Sequence, residues 1–304
     1  MGRFKYLAGI TTYNPNLNRL KLNINSISRQ MEMVMVVDNG SSNISNISNL
    51  VSEYDNVLLI SNEKNMGIAY AMNVIGNYAV EHAYDWFLTL DQDSICPDNL
   101  IDTYVKYIDA SIGIISPYIE FNQPFISKLL RLKEESSDSL NSRISDVGYS
   151  ISSGQFIQTS AWQKIGGFWE YLFIDYVDQE ICLNLTRNGY RIVRINDCTL
   201  AHEPGIPVKV FGIETAKQSA MREYYVARNS RLVYWNYPDE YKRAIKNRPF
   251  ISTIKRIANS ILVGEDVFAK LKAICCGVHD AFVWKSKHKH NKSRSPFGLK
   301  ERRY

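Results

Sequence analysis

Trp86-Phe87-Leu88-Thr89-Leu90-Asp91-Gln92-Asp93-Ser94 is an apolar run that ends abruptly in two carboxylates one residue apart. The segment Trp86 to Leu90 predicts a strand buried on both faces, so the acids fall where that strand leaves its sheet. Open α/β sheets bind ligands at that edge. Asp91 and Asp93 point the same way if the pleat continues, and a following loop can still turn both toward one hard cation. Like charges so close repel, and a divalent metal carrying a phosphorylated ligand relieves the repulsion. A solvated loop whose acids cap a helix beginning near Pro97 accounts for the same residues without any ligand. One Asp-x-Asp does not choose between the two readings.

The neighbouring segments bear on that choice. Phe4 to Ile10 leads into Thr11-Thr12-Tyr13-Asn14-Pro15, Met33 to Val37 into Asp38-Asn39-Gly40-Ser41-Ser42, and Val57 to Ile60 into Ser61-Asn62. Asn14, Asp38, Asn65 and Asp91 are evenly spaced along the chain, with room each time for one strand and one helix. Leu17, Leu20, Leu22, Ile24 and Ile27, and then Ala69, Met72, Ile75, Ala79 and Ala83, recur largely at helical spacing between the runs. Repeated βα units predict a parallel sheet flanked by helices and joined by right-handed crossovers, with polar strand ends converging on one crevice.

Those ends carry the residue types a nucleotide site needs. Asp38 can accept from a ribose hydroxyl or a base N–H, and Asn39-Gly40-Ser41-Ser42 is a tight turn with free amides. Gly67, Ala69 and Ala71 open a helix with small residues, where a backbone can approach a ligand and N-terminal amides favour phosphate. A plain turn and a close helix-packing face explain the same two segments equally well. No Gly-x-Gly-x-x-Gly and no Walker lysine occurs, which excludes the usual dinucleotide and P-loop sites.

Further along, Ile112 to Ile119 predicts another strand and Glu120 to Ser145 a polar loop. Lys164-Ile165-Gly166-Gly167-Phe168 reads as a helix closed by glycine. Asp175, Asp178 and Glu180 put three acids in six residues among apolar neighbours, a density that asks for a cationic or proton-transfer partner. Asp178 also sits where a first helical turn favours a carboxylate. Tyr190 to Ile195 predicts a strand, and His202 follows in a turn, either a structural histidine or a metal ligand. Arg222, Tyr225 and Asn229 share one helical stripe, with Tyr224 and Arg228 beside it.

Composition sets outer limits. The chain has 304 residues, 45% hydrophobic and 22% charged, enough for a sizeable core. No apolar run reaches the roughly 18 residues a membrane span needs, and the N-terminus has no cleavage-site pattern, so a cytoplasmic location is expected. Five cysteines without Cys-x-x-Cys spacing indicate neither a disulfide framework nor structural zinc. Lys285 to Tyr304 holds eight Lys or Arg against one acid, while the rest of the chain sums to −2. The tail has too few aromatics for a nucleic-acid surface. With the apolar helical faces of 250–284, it predicts peripheral, salt-sensitive contact with anionic membrane.

Taken in order, Thr11-Tyr13-Asn14, Asp38-Asn39-Gly40-Ser41, Asn65-x-Gly67-x-Ala69-x-Ala71-x-Asn73, Asp91-Gln92-Asp93-Ser94, Gly154, Gly166-Gly167-Phe168, Val177-Asp178-Gln179-Glu180 and His202 resemble the inverting nucleotide-sugar glycosyltransferases of family 2. The resemblance spans about residues 4 to 235. Asp-Gln-Asp-Ser, Phe-Ile-Asp-Tyr-Val-Asp and Arg-x-Tyr-Tyr-x-x-Arg-Asn look most like bacterial rhamnosyltransferases that build capsule or O-antigen units.

The resemblance implies a GT-A fold, α/β with a Rossmann-like, mostly parallel sheet, over 1–235. A helical, basic extension would occupy 236–304. Asp38 would hold the base or ribose, with Thr11 and Tyr13 lining its pocket. Asn14, Asn65, Gly67, Asn73, Asp91 and Gln92 complete the donor contacts. Asp93 and His202 would bind Mg²⁺ or Mn²⁺, and Asp178 matches the catalytic base. The family usually shows Glu-Asp at that point and this chain has Val177-Asp178, so Asp175 is a candidate to share the role. The implied donor is dTDP-L-rhamnose, or else a UDP-sugar. The implied acceptor is a polyprenyl-diphosphate-linked glycan at the inner face of the plasma membrane, with no nucleic acid involved. Monomer and homodimer both remain open.

Overall fold

The computed structural model describes residues 4–121, 143–202, 207–210, 213–216, 218–245 and 248–288, with side chains for all of these except 120–121, 202, 207–210 and 213–216. Most of the expected polar loop (122–142), the turn at 203–206 and the tail from 289 onward lie outside the described residues.

Three βα units and a fourth strand open the chain, as the spacing predicts: β1 (Tyr6–Thr12), α1 (Leu17–Ser28), β2 (Val34–Asp38), α2 (Ile44–Val51), β3 (Val57–Ser61), α3 (Ile68–Glu81) and β4 (Trp86–Asp91). They pair in parallel in the order β3-β2-β1-β4. Register then fixes the crevice, because Ser61 lies opposite Asp38, Asp38 opposite Thr12, and Thr11 opposite Asp91. Every polar strand end therefore sits in one row.

The second half adds α4 (Leu100–Tyr104), β5 (Ile112–Phe121), β6 (Ile144–Asp146), β7 (Gln155–Gln158), α5 (Thr159–Lys164), α6 (Val177–Arg187) and β8 (Arg191–His202). Strand β7 runs antiparallel between β4 and β5, β8 is parallel to β5, and antiparallel β6 closes the edge of an eight-stranded sheet. Both ends of the expected Glu120–Ser145 loop are thus strand, held by pairing with β8. The predicted strand at Tyr190–Ile195 extends to His202. Its pairing with β5 jumps from Pro117↔Ile195 to Tyr118↔Thr199, so the polar residues Asn196 and Asp197 mark a bulge inside the strand instead of its end.

Alternate residues feed two apolar layers. Leu7, Met35, Phe87, Ile114 and Ile157 face α3, α5 and α6, while Ala8, Ile10, Val36, Leu88 and Leu90 face α1, α2 and α4. Each large side chain buried this way stabilises the fold by about 1.5–3 kcal/mol before entropy is counted.

A two-stranded ribbon, β9 (Pro207–Val210) with β10 (Ile213–Ala216), precedes α7 (Ala220–Asn236), α8 (Pro238–Ala244), α9 (Pro249–Val263) and α10 (Val267–Lys287). Gly277 lets α10 lie against α7, since a Cβ there would meet Tyr224 O at 2.3 Å. Ala281 and Trp284 join the α3-side core, where the Trp284 and Trp169 ring centroids are 5.5 Å apart. Side chains on both sides of position 235 thus share one interior.

Candidate active site

The row of strand ends opens into a cleft of about 820 Å³, within the range of small-molecule sites, roughly 300–1,000 Å³. Thr11, Tyr13, Asn65, Gly67, Asp91, Gln92, Asp93 and Asp178 line it together. They come from segments as distant in sequence as β1 and the start of α6.

On the β1–β2 side the backbone amides and hydroxyls staple the turn. Asp38 Oδ1 accepts from Thr12 Oγ1 (3.0 Å) and Ser41 Oγ (2.5 Å), and Oδ2 accepts the amides of Gly40 (3.1 Å) and Ser41 (2.8 Å). With both oxygens engaged and no exposure, Asp38 shapes the cleft without lining it. Asn39 lines it instead, linked through its Nδ2 to Asn65 Oδ1 at 3.0 Å. Asn14 is outside the cleft, its φ of 47° and its Oδ1, which accepts from Ser42 N–H and Oγ, making a turn clasp. Asn73 is elsewhere too, holding the Gly166-Gly167-Phe168 turn by accepting from Phe168 N–H (2.8 Å) and donating to Phe168 O and Glu170 Oε1.

The start of α3 also differs from the expected phosphate cradle. Gly67 N–H donates to Asn65 Oδ1 and Ile68 N–H to Phe173 O at 2.7 Å, so protein takes these amides. Gly67 has φ 90°, and a Cβ there would lie 2.6–2.8 Å from Phe173. The close approach that glycine permits is to the Phe173 loop.

The acidic loop after β4 is tied down from α1, a support the sequence did not reveal. Asn23 Nδ2 donates to Asp91 O and Arg19 Nε to Asp93 O, both at 2.6 Å. Gln92 Oε1 accepts Tyr13 N–H at 2.8 Å, and Ser152 Oγ reaches Asp91 Oδ1 at 3.3 Å. His202 ends β8, and its side chain lies outside the described residues; the preceding Ala201 bridges to Ile95, just past Asp93.

Opposite stands the loop that delivers Asp178. Phe173, Asp175 and Tyr176 all have φ near +65° (64°, 62° and 67°), an unusual cluster for residues with side chains. Strain of this kind persists only where surroundings over-determine it. Asn229 Nδ2 donates to the carbonyls of Leu172, Ile174 and Asp175 at 2.8–2.9 Å, Arg228 Nη2 bonds Tyr171 O, and Tyr225 stacks on Phe173 at 5.0 Å. The predicted stripe on α7 is the clamp. Arg222 chelates Asp175 with Nη2–Oδ1 at 2.6 Å and Nε–Oδ2 at 3.2 Å, which neutralises it. Glu180 is buried and accepts Tyr237 O–H at 2.5 Å.

Asp178 is left as the proton-transfer candidate among the three acids. Burial pushes its carboxyl up to about 7; the Gln179 N–H on Oδ1 opposes this, and the Asp175 and Asp91 charges add to it. A base poised near 7 suits general catalysis at neutral pH. Arg256, not anticipated from the sequence, lines the cleft with its Nε held by the Glu223 carboxylate at 2.6 Å and its Nη2 buried without a hydrogen-bond partner among the described residues.

Among the described residues no three His, Cys, Asp or Glu are grouped to hold a metal. Asp91 and Asp93 nonetheless fit Mg²⁺ or Mn²⁺ in chemistry. Mg²⁺ is commonly held by one or two carboxylates plus substrate phosphates.

The mostly parallel α/β sheet with polar strand ends lining one cleft has a GT-A fold, and the chain belongs to glycosyltransferase family 2. Residues 8–151 match the model described as Glycosyl transferase family 2. A Shigella flexneri protein, dTDP-rhamnosyl transferase RfbF, is 30% identical over 237 residues, 74% of this chain and 78% of that one. The crystal structure of S. aureus TarS 1–349 superposes with TM-score 0.56 at 15% identity over 95% of this chain and 75% of that one. GalNAc-T7, crystallised with UDP, GalNAc and Mn²⁺, gives TM-score 0.57 at 12% identity over 94% and 58% respectively. At these identities the structural neighbours show the fold.

Proposed function

We propose that this chain transfers L-rhamnose from dTDP-L-rhamnose, with inversion, to a lipid-linked oligosaccharide during cell-surface polysaccharide synthesis. Asp178, a cleft carboxylate titrating near neutrality, carries the reading. It takes the proton from the attacking acceptor hydroxyl as that oxygen displaces the nucleoside diphosphate in one step. Base catalysis of this kind is usually worth about 10² to 10⁴ in rate. Likeness to a dTDP-rhamnosyl transferase supports the sugar and base, and the lipid-linked acceptor follows from resemblance to enzymes of capsule and O-antigen assembly.

Asp93 and Asp91, with His202, would hold Mg²⁺ or Mn²⁺, which supplies positive charge for the departing diphosphate. Thr11, Tyr13, Asn39 and Asn65 wall the nucleoside side, and Arg256, whose Nε pairs with Glu223, offers its Nη2 as a donor for phosphate oxygens. The Asp175–Arg222 pair orients the loop and keeps a second negative charge from competing for the proton. The work is expected at the cytoplasmic leaflet, where such an acceptor is found.

A panel of dTDP-rhamnose, UDP-glucose, UDP-galactose and UDP-GlcNAc tests this, reading release of free nucleoside diphosphate with and without Mn²⁺. Turnover of dTDP-rhamnose that EDTA abolishes is the expected result. Turnover of a UDP-sugar alone would replace the donor assignment. Calorimetric nucleotide binding without turnover of any donor, once acceptor is supplied, would mark a sensor.

A further inference from the structure

Helix α9 is turned inside out relative to a usual surface helix. Its polar side faces the protein, where Thr253 and Ser260 are buried and Arg256 Nε pairs with the buried Glu223 Oε2 at 2.6 Å. Ser252 and Arg256 on that side line the cleft. Its apolar side faces out, with Phe250 71%, Ile254 51% and Ile261 57% exposed on one stripe. Phe268, just past the α9–α10 turn, is 83% exposed, the most of any large apolar side chain described. Singly exposed apolar residues need no explanation, but a contiguous row does.

Charge decides what covers the row. Residues 248–304 hold 13 Lys or Arg against four Asp or Glu, a balance of +9, while the chain before them balances at −4. A second copy would set this net-positive segment of sequence against itself. An anionic lipid surface complements the net-positive sequence that carries the row, since each basic residue near it contributes up to about 1 kcal/mol. Arg248, Lys255 and Lys272 are exposed in the helices that carry the row, along with the acids Glu265 and Asp266 at their turn.

We propose that the outward face of α9, formed by Phe250, Ile254 and Ile261 and continued by Phe268, docks flat on an anionic lipid bilayer. An interfacial helix buries its apolar side about 5–10 Å into the headgroup boundary. Because the opposite side of α9 walls the cleft, docking holds that wall about one helix diameter, roughly 10 Å, from the lipid. This deepens the lipid-linked acceptor reading above and draws its purpose from it, while its evidence is the inverted helix and the charge.

Full-length protein is sedimented with vesicles of phosphatidylcholine alone or mixed with phosphatidylglycerol, beside a variant carrying Phe250→Ser, Ile254→Ser, Ile261→Ser and Phe268→Ser. The wild type should partition onto the anionic vesicles, less so at high salt, and the variant should lose roughly tenfold or more. A milder Phe250→Ser/Phe268→Ser pair, altering the two most exposed rings, should lose part of that partition with an unchanged melting temperature. Equal partition by wild type and the pair, or no binding of wild type to either vesicle, overturns the proposal. So does a wild-type dimer in light scattering that the four substitutions dissolve while vesicles capture nothing. Donor turnover measured on the same samples in detergent-dispersed acceptor should be unchanged. If turnover is absent and vesicle binding persists, the transferase reading fails and the docking face stands.

Discussion

Replacing Asp178 with Asn should cut turnover by about 10² to 10⁴ and leave nucleotide affinity nearly intact, because the carboxylate acts on the acceptor proton. The wild-type pH profile reports the same group. With a carboxyl titrating at about 7, the rate should climb about tenfold per pH unit below that point and level off above about pH 8. Two variants should move the inflection in opposite directions. Asp175→Asn removes one of the negative charges that raise Asp178 and leaves Arg222 cationic nearby, so the inflection moves to lower pH. Arg222→Gln strips Asp175 of its chelating partner and moves it to higher pH. Each shift should be about half to one pH unit, less than the effect of burial, the largest cause.

Stability runs against activity at this residue. The carboxyl keeps its proton up to about 7 in the folded chain against 3.8 ordinarily, so the folded state binds more protons in that window and loses stability as pH rises through it. The loss should reach on the order of 2–4 kcal/mol by about pH 8, after some allowance for partial exposure. Asp178→Asn should therefore melt above wild type at pH 8 and level with it at pH 4. The assay is nucleoside diphosphate release at saturating donor from about pH 5 to 9, paired with thermal melts. A flat wild-type profile, or Asp175 and Arg222 variants that shift the same way, would refute the base assignment.

Asn229→Leu takes the side-chain donor from the Ile174 and Asp175 carbonyls and one of several donors from Leu172 O, and should cost about 2–4 kcal/mol of stability, with kcat falling more than donor affinity, read by melts and steady-state kinetics. Gly67→Ala forces a methyl into Phe173 at positive φ; about a hundredfold loss of kcat with a modest fall in melting temperature is expected. Buried Cys96 and Cys182, both with thiols pushed up to about 12, should resist aromatic disulfide reagents in the native protein, while exposed Cys275 reacts within seconds to minutes; peptide mapping tells them apart.

The four opening strands were legible because each is an apolar run with a polar terminus, and buried parallel strands leave that mark. What the sequence could not show is where the polar termini spend their hydrogen bonds. Asp38 and Asn73 have the residue types of ligand contacts, yet their partners are protein atoms supplied from turns, in the case of Asn73 as far as 97 residues away. The stripe of Arg222, Tyr225 and Asn229 was visible on its helix. Its meaning lay in carbonyls at least 54 residues upstream, whose backbone direction no side-chain pattern encodes. Periodicity likewise identified α9 as amphipathic, but only packing reveals that the polar side is the inner one.

Strand β7 has a further consequence, for how the chain is made. It fills the gap between β4 and β5, and Trp86 pairs with the much later Gln158. At about 5–20 residues per second on the ribosome, β4 emerges roughly 4 to 14 seconds before its outer neighbour exists. For that interval the nascent half-sheet offers a bare edge of Trp86, Phe87 and Leu88, the kind of template on which strands from other chains pair. Slow translation near residues 90–150 should therefore lower soluble yield, and a chaperone that covers apolar strand edges should restore it.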